Sequence, residues 1–224
     1  MRPLVLFDLD NTLVDRQRAL TDWVAGYQSH HGLSCEQRRW LFGLLADRAT
    51  PAHFERIRNR FGLAESASSL WHGYCEDLAA AVICPPDVLS GIEELRTRGW
   101  RIGIVTNGAT DIQTAKLRAT GLADRVDAVC ISGEAGVRKP DPALFRKAAR
   151  RCGISGYEEG GWMVGDNPVN DIGGSRSAGF RTVWIHRGLP WPAGLPGPDH
   201  QVPDARAAIE LLISCRRQRK ELVP

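Results

Sequence analysis

Lysine is scarce in this 224-residue chain: Lys116, Lys139, Lys147 and Lys220 stand against 25 arginines, with no lysine before Lys116. Where a chain that favours arginine uses lysine, the compact ammonium has a local reason to be there. No Cys-x-x-Cys pair occurs among Cys35, Cys75, Cys84, Cys130, Cys152 and Cys215, and none has a histidine at zinc spacing. That excludes a zinc-finger-type site and fits free thiols in a reducing compartment. No apolar run approaches the length that crosses a bilayer. Only a handful of apolar residues separate Met1-Arg2-Pro3 from Asp8, too few for a signal-peptide core. The expected location is the cytoplasm, with no membrane partner. Excess charge is also missing: the formal net charge is +3, and the sole basic run is Arg216-Arg217-Gln218-Arg219-Lys220. Beside the C-terminus it reads as a solvated tail and not as a nucleic-acid surface. No internal repeat is present.

What remains is an ordinary globular composition, 43% apolar and 25% charged, in a chain long enough for one domain or a domain with an insertion. Pro3-Leu4-Val5-Leu6-Phe7 is an apolar segment that reads as a strand buried on both faces. Residues 15 to 81 then read as helices. Leu20, Trp23, Val24 and Tyr27 form one stripe between Gln17 and His31, closed by Gly32. Ser34 caps a second helix carrying Trp40, Leu41, Leu44 and Leu45, Thr50-Pro51 opens a third that ends at Gly62, and a fourth runs from Ala64 to Ala81.

After Cys84-Pro85-Pro86 the rhythm changes. Helices are expected over 87–98, 111–120, 141–152, 170–178 and 204–214, alternating with strands over 101–105, 127–131, 161–164 and 181–185. The Gly- and Pro-rich segment 188–198 reads as loop. This alternation predicts an α/β fold: a Rossmann-like parallel sheet with helices on both faces, interrupted by an α-helical cap. Residues 1–14 and 83–224 would form the catalytic core and 15–82 the cap.

Polar clusters follow four of the expected elements: Asp8-Leu9-Asp10-Asn11-Thr12, Thr106-Asn107-Gly108, Lys139-Pro140-Asp141, and Gly165-Asp166 through Asp171. If the strands are parallel neighbours, all four meet at the carboxyl edge of the sheet, where α/β folds bind ligands. A carboxylate pair, a hydroxyl, an amide and an ammonium suit phosphoryl transfer to water, a reaction that demands charge stabilisation around the phosphoryl oxygens. Asp8, Asp10 and Asp166 would repel one another and an anionic substrate without a cation, which points to Mg²⁺.

These four motifs, in this order, resemble those of the haloacid dehalogenase superfamily in its phosphatase branch, over roughly Leu4 to Ile185, and the helical insertion resembles a C1-type cap. The resemblance implies a Mg²⁺-dependent phosphatase that hydrolyses a small-molecule phosphate monoester through an aspartyl-phosphate. It makes Asp8 the nucleophile and Asp10 the acid and base. Thr106, with Asn107 and Gly108, would bind phosphoryl oxygens, and Lys139 would offset charge at the nucleophile. Metal ligands would be the Asp8 and Asp166 carboxylates and the Asp10 main-chain carbonyl, with Thr12 and Asp171 in supporting positions. Asp15 and Arg16, at the first hinge of the cap, are candidate substrate contacts, followed by His30, His31, Arg48, His53, Arg56 and His72. Trp23, Trp40 and Trp71 are expected to pack the cap.

Asp10 speaks against halide displacement, whose leaving group needs no proton, and a cap without lysine speaks against Schiff-base phosphonate cleavage. A sugar-phosphate mutase of the same family stays open, as does a catalytically retired binding subunit. The short cap and the segments 166–168 and 182–185 look more like acylneuraminate-phosphate phosphatases and pyrimidine nucleotidases. The expected partner is a small phosphorylated metabolite: a sugar phosphate, a nucleotide or a pathway intermediate. Oligomeric state is not legible.

Overall fold

The computed structural model describes residues 2–154 and 161–221, the last six as backbone only. Six parallel strands form one sheet in the order β3-β2-β1-β4-β5-β6. They are β1 Leu4–Phe7, β2 Arg101–Thr106, β3 Ala128–Ile131, β4 Trp162–Gly165, β5 Arg181–Ile185 and β6 His200–Val202. β1 is central, and its four residues are all buried. Alternation along it divides the core. Val5 and Phe7 join a cluster with Ile102, Ile104, Val164 and Val183, whereas Leu4 and Leu6 face Phe145, Ala148 and Ala149 on the other side. Burial of each such side chain favours folding by about 1.5–3 kcal/mol, and a one-residue slip would exchange the two sets.

In chain order four helices separate β1 from the next strand: α1 Arg16–His31, α2 Cys35–Ala46, α3 Pro51–Phe61 and α4 Ala67–Ala81. Their ends follow local chemistry. Gly32 closes α1 at φ 61°, a left-handed conformation that costs glycine little. Ser34 and Gln37 form a reciprocal capping box at the start of α2, an arrangement that satisfies two orphan N–H groups. Trp71 and Phe54 are buried in the helical module, packed edge to face, while Trp23 and Trp40 are partly buried against it.

The sheet is flanked by α5 Pro86–Thr97, α6 Thr110–Ala119, α7 Ser132–Ala135, α8 Pro142–Arg151, α9 Gly174–Ser177 and α10 Ala205–Glu221. Three features depart from the sequence expectation. β6 is a three-residue strand beyond the Gly- and Pro-rich loop. The expected helix over 170–178 begins instead as a π-turn, Pro168–Gly173, before the single turn of α9. The closing helix extends past Ser214 through the basic run, whose side chains lie outside the described residues. All six cysteines are free. Among the described residues no helix is long and apolar enough to cross a membrane.

Candidate active site

Because every strand is parallel, the segments leaving β1, β2 and β4 emerge at one edge. There Asp8, Asp10, Thr106, Asn107, Lys139, Asp166 and Asp171 line a single cavity of about 170 Å³, which Arg16 and the α2–α3 loop residues Asp47 and Arg48 also line. That is smaller than the pockets that enclose drug-sized ligands.

Lys139 is at the centre of the charge pattern. It is 3% exposed, and its Nζ donates to Asp8 Oδ1 at 2.5 Å, Asp171 Oδ1 at 2.7 Å and the Val105 carbonyl at 3.0 Å. Asn107 brackets the same residue: its amide nitrogen donates to the Lys139 carbonyl at 3.0 Å, and its oxygen accepts the Lys139 N–H at 2.9 Å. Its side chain thus fixes the lysine's backbone. Burial alone would lower the Lys139 ammonium, but Asp171 and Asp8 hold it above its usual range.

The carboxylates respond to the same surroundings. Burial pushes Asp8 well above the normal carboxylate range against the pull of Lys139, and Asp171 and Asp166 push it the same way. Asp166 is pushed up to about 7, first by burial and then by Asp171. Like charges held close in a low-dielectric site produce this pattern, and a bound cation relieves it. Asp8, Asp166 and Asp171 each offer a carboxylate oxygen within 4.8 Å of one another. Three hard oxygen donors fit a Mg²⁺ ion. Beside the expected Asp8 and Asp166 carboxylates this side-chain cluster holds Asp171, placed by the sequence in a supporting position; the ligand expected from Asp10 is its main-chain carbonyl, not its carboxylate.

Asp10 is instead held by two residues of α6. Lys116 Nζ lies 2.7 and 2.9 Å from its two carboxylate oxygens, and Gln113 Nε2 donates to Oδ2 at 3.1 Å. Burial pushes Asp10 upward, but Lys116 and Arg16 reverse the outcome and hold it below the usual carboxylate range. Burial draws the Lys116 ammonium down, against Asp10. The geometry is that of an ion pair, with the acid's side the better solvated at 19% exposure against 1%. Gln113 also donates to Thr106 Oγ1 at 2.6 Å. Neither α6 residue was among the sequence candidates. The signal available was the scarcity of lysine, together with an i, i+3 spacing that places Gln113 and Lys116 on one helix face.

The remaining candidates separate into different roles. Thr12 donates to Asp8 Oδ2 at 3.4 Å. The Gly108 N–H goes to Ser132 Oγ at 3.0 Å. Arg16 is buried, and its guanidinium donates to the Leu45 and Ala46 carbonyls at 2.6 Å each. Those are the last carbonyls of α2, which lack intrahelical partners, so Arg16 holds the loop that lines the cavity. Asp15 lies away from the cavity: it caps α1 through the Arg18 N–H and pairs with Arg187 at 3.1 Å. His30, His31 and His72 do not line the cavity; His30 and His31 border a separate groove between α1 and α4.

Gly165 shows how tightly the edge is packed. A Cβ there would lie 2.5 Å from the Asp171 Cβ and Cγ, so only glycine lets the Asp171 side chain reach Lys139.

Comparisons with known proteins identify the family. The chain is 44% identical over 121 residues to a phosphoserine phosphatase of Thermus thermophilus, covering 54% of this chain and 48% of that protein. It is 37% identical over 161 residues to a glyceraldehyde 3-phosphate phosphatase of Methanopyrus kandleri, covering 69% and 66%. The match therefore spans about half to two thirds of the length of these relatives. A crystal structure of a haloacid dehalogenase-type phosphatase from Thermococcus onnurineus superposes with a TM-score of 0.70 at 26% identity, over 95% of this chain and 98% of that one. The family model for haloacid dehalogenase-like hydrolases matches residues 3–179, and the chain belongs to that family.

Proposed function

We propose that the chain is a Mg²⁺-dependent phosphatase that hydrolyses a small phosphate monoester through an aspartyl-phosphate on Asp8. The observation that carries this reading is the Lys139 centre, one buried ammonium shared by Asp8 and Asp171 at 2.5 and 2.7 Å. It keeps a buried carboxylate aimed into the cavity in spite of its neighbours.

The Asp8 carboxylate attacks phosphorus as the bond to the leaving oxygen breaks. Asp10, ionised before substrate binds and protonated as the anionic ester enters, gives that proton to the leaving oxygen and takes one from the water that next attacks the phosphoenzyme. Thr106 and the backbone around Asn107 receive the phosphoryl oxygens, and Lys139 offsets the charge gathered at Asp8. Asp8 and Asp166, with Asp171 beside them, would hold the Mg²⁺, joined by the Asp10 carbonyl. The ion supplies positive charge that lets an anionic nucleophile meet an anionic ester.

In this reading residues 1–14 and 83–224 are the core and 15–82 a cap that shields the reaction from water. The cavity volume of about 170 Å³ and relatives named for phosphoserine and glyceraldehyde 3-phosphate favour a compact ester. A panel of phosphoesters scored for released phosphate with Mg²⁺, repeated with Asp8→Asn, tests this. Turnover in the parent that is lost in the variant supports it. No release from any ester overturns it, and isomerisation of hexose phosphates without release assigns the chain to the mutases.

A further inference from the structure

Resting on the phosphatase reading, a second buried lysine acquires a task. Lys116 is 1% exposed, it is not among the residues lining the 170 Å³ cavity, and its Nζ meets both oxygens of Asp10, which does line it. Lys116 lines a small adjoining pocket that shares Asp10, Arg16 and Asn107 with that cavity, and its ammonium meets Asp10 there. The same Nζ donates to Gln113 Oε1 at 2.9 Å. This fixes which way the Gln113 amide faces, because its nitrogen must then point to Asp10 Oδ2 and Thr106 Oγ1. One turn of α6 therefore ties the proton-transferring carboxylate to the hydroxyl of Thr106, the last residue of β2. The helix is itself docked on α4 through a hydrogen bond from the Trp71 indole to Asp111.

We propose that Lys116, with Gln113, is a positioning residue for general acid catalysis, holding the Asp10 carboxylate in the orientation that reaches the leaving oxygen. A plain structural pair would stabilise the fold and leave the chemistry indifferent to the leaving group. A positioning pair makes a specific demand. An alkyl phosphate needs a proton on its departing oxygen as the P–O bond breaks and the Asp8–P bond forms, whereas p-nitrophenolate departs without one.

The test is kcat/KM, which reports steps up to loss of the leaving group, for p-nitrophenyl phosphate and for the best alkyl phosphate of the panel. Lys116→Met is expected to lose about 100-fold or more on the alkyl ester and no more than about three-fold on the aryl ester, as expected for a lost general acid. Asp10→Asn should show the same split, and Lys116→Arg should recover most of the alkyl activity. Asp10→Asn/Lys116→Met leaves no buried charge unpaired, so it remains informative if the single variant does not fold. Its kcat/KM should equal that of Asp10→Asn. Equal losses on both esters, or a further loss in the double variant, would overturn the positioning role while leaving the phosphatase reading intact. A parent inactive on every ester would overturn both.

Discussion

Replacing Lys139 by Met keeps the length and apolar stem of the side chain and deletes only the ammonium. Three hydrogen bonds disappear, to Asp8, Asp171 and the Val105 carbonyl. Two buried carboxylates then face each other with Asp166 close by and no cation between them. Removing one partner from a buried ion pair costs about 3–5 kcal/mol, because the other charge stays desolvated. At roughly 2–4 °C per kcal/mol for a chain of this size, the melting temperature in metal-free buffer at pH 8 should fall by about 6–20 °C. Two further responses separate this from a packing defect. Added Mg²⁺ should restore part of the loss, since a cation returns to the cluster. The deficit should also narrow as pH falls, because Asp8 and Asp166, both already raised, then take up protons and the repulsion fades. Thermal unfolding by circular dichroism, with and without Mg²⁺ across pH 5–8, reads all three. A melting temperature within about 2 °C of the parent, or a deficit that widens on acidification, would refute the reasoning.

Other perturbations probe the surrounding structure. Gly165→Ala should force Asp171 away from Lys139, since a Cβ meets it at 2.5 Å; kcat should drop by about ten-fold or more, measured with the panel's best substrate, with the far-ultraviolet spectrum unchanged. Arg16→Met frees the Leu45 and Ala46 carbonyls; KM should rise by about ten-fold, in line with charged hydrogen bonds worth about 1.5–3 kcal/mol, and kcat should change less. In the metal-free parent, Asp166 at about 7 against an ordinary 3.8 means the folded state binds the extra proton, so stability should fall as pH rises from about 4 to about 7. Magnesium must displace that proton, so its stabilising effect should grow over the same window and vanish at the acid end, as urea titrations would show.

Much of this architecture is legible from residue order because parallel strands buried on both faces appear as unbroken apolar runs. Pro3 to Phe7 is the clearest, and the polar residues that follow it, β2 and β4 mark the sheet edge. The paired Asp8 and Asp10 and the exceptional Lys139 announce charge chemistry without any contact being known. Other features depend on tertiary approach. β6 is only three residues long, too short for a period-two pattern to register. The π-turn at Pro168–Gly173 arises where Asp171 must fold back, accepting the Asn167 N–H at 2.9 Å while still meeting Lys139. Arg16 looks like a hinge residue facing substrate, yet two carbonyls 29 and 30 residues away claim its guanidinium. Lys116 pairs with a carboxylate 106 positions distant, and only its rarity among arginines singles it out in advance.

The most direct measurement is to stop the enzyme during turnover with hydroxylamine, which converts an acyl phosphate into a hydroxamate, and to map the modified peptide by mass spectrometry. A hydroxamate confined to Asp8, formed only with phosphoester present and absent in Asp8→Asn, is the predicted result. Phosphate release with Asp8 unmodified throughout, or modification at another carboxylate, would contradict the account.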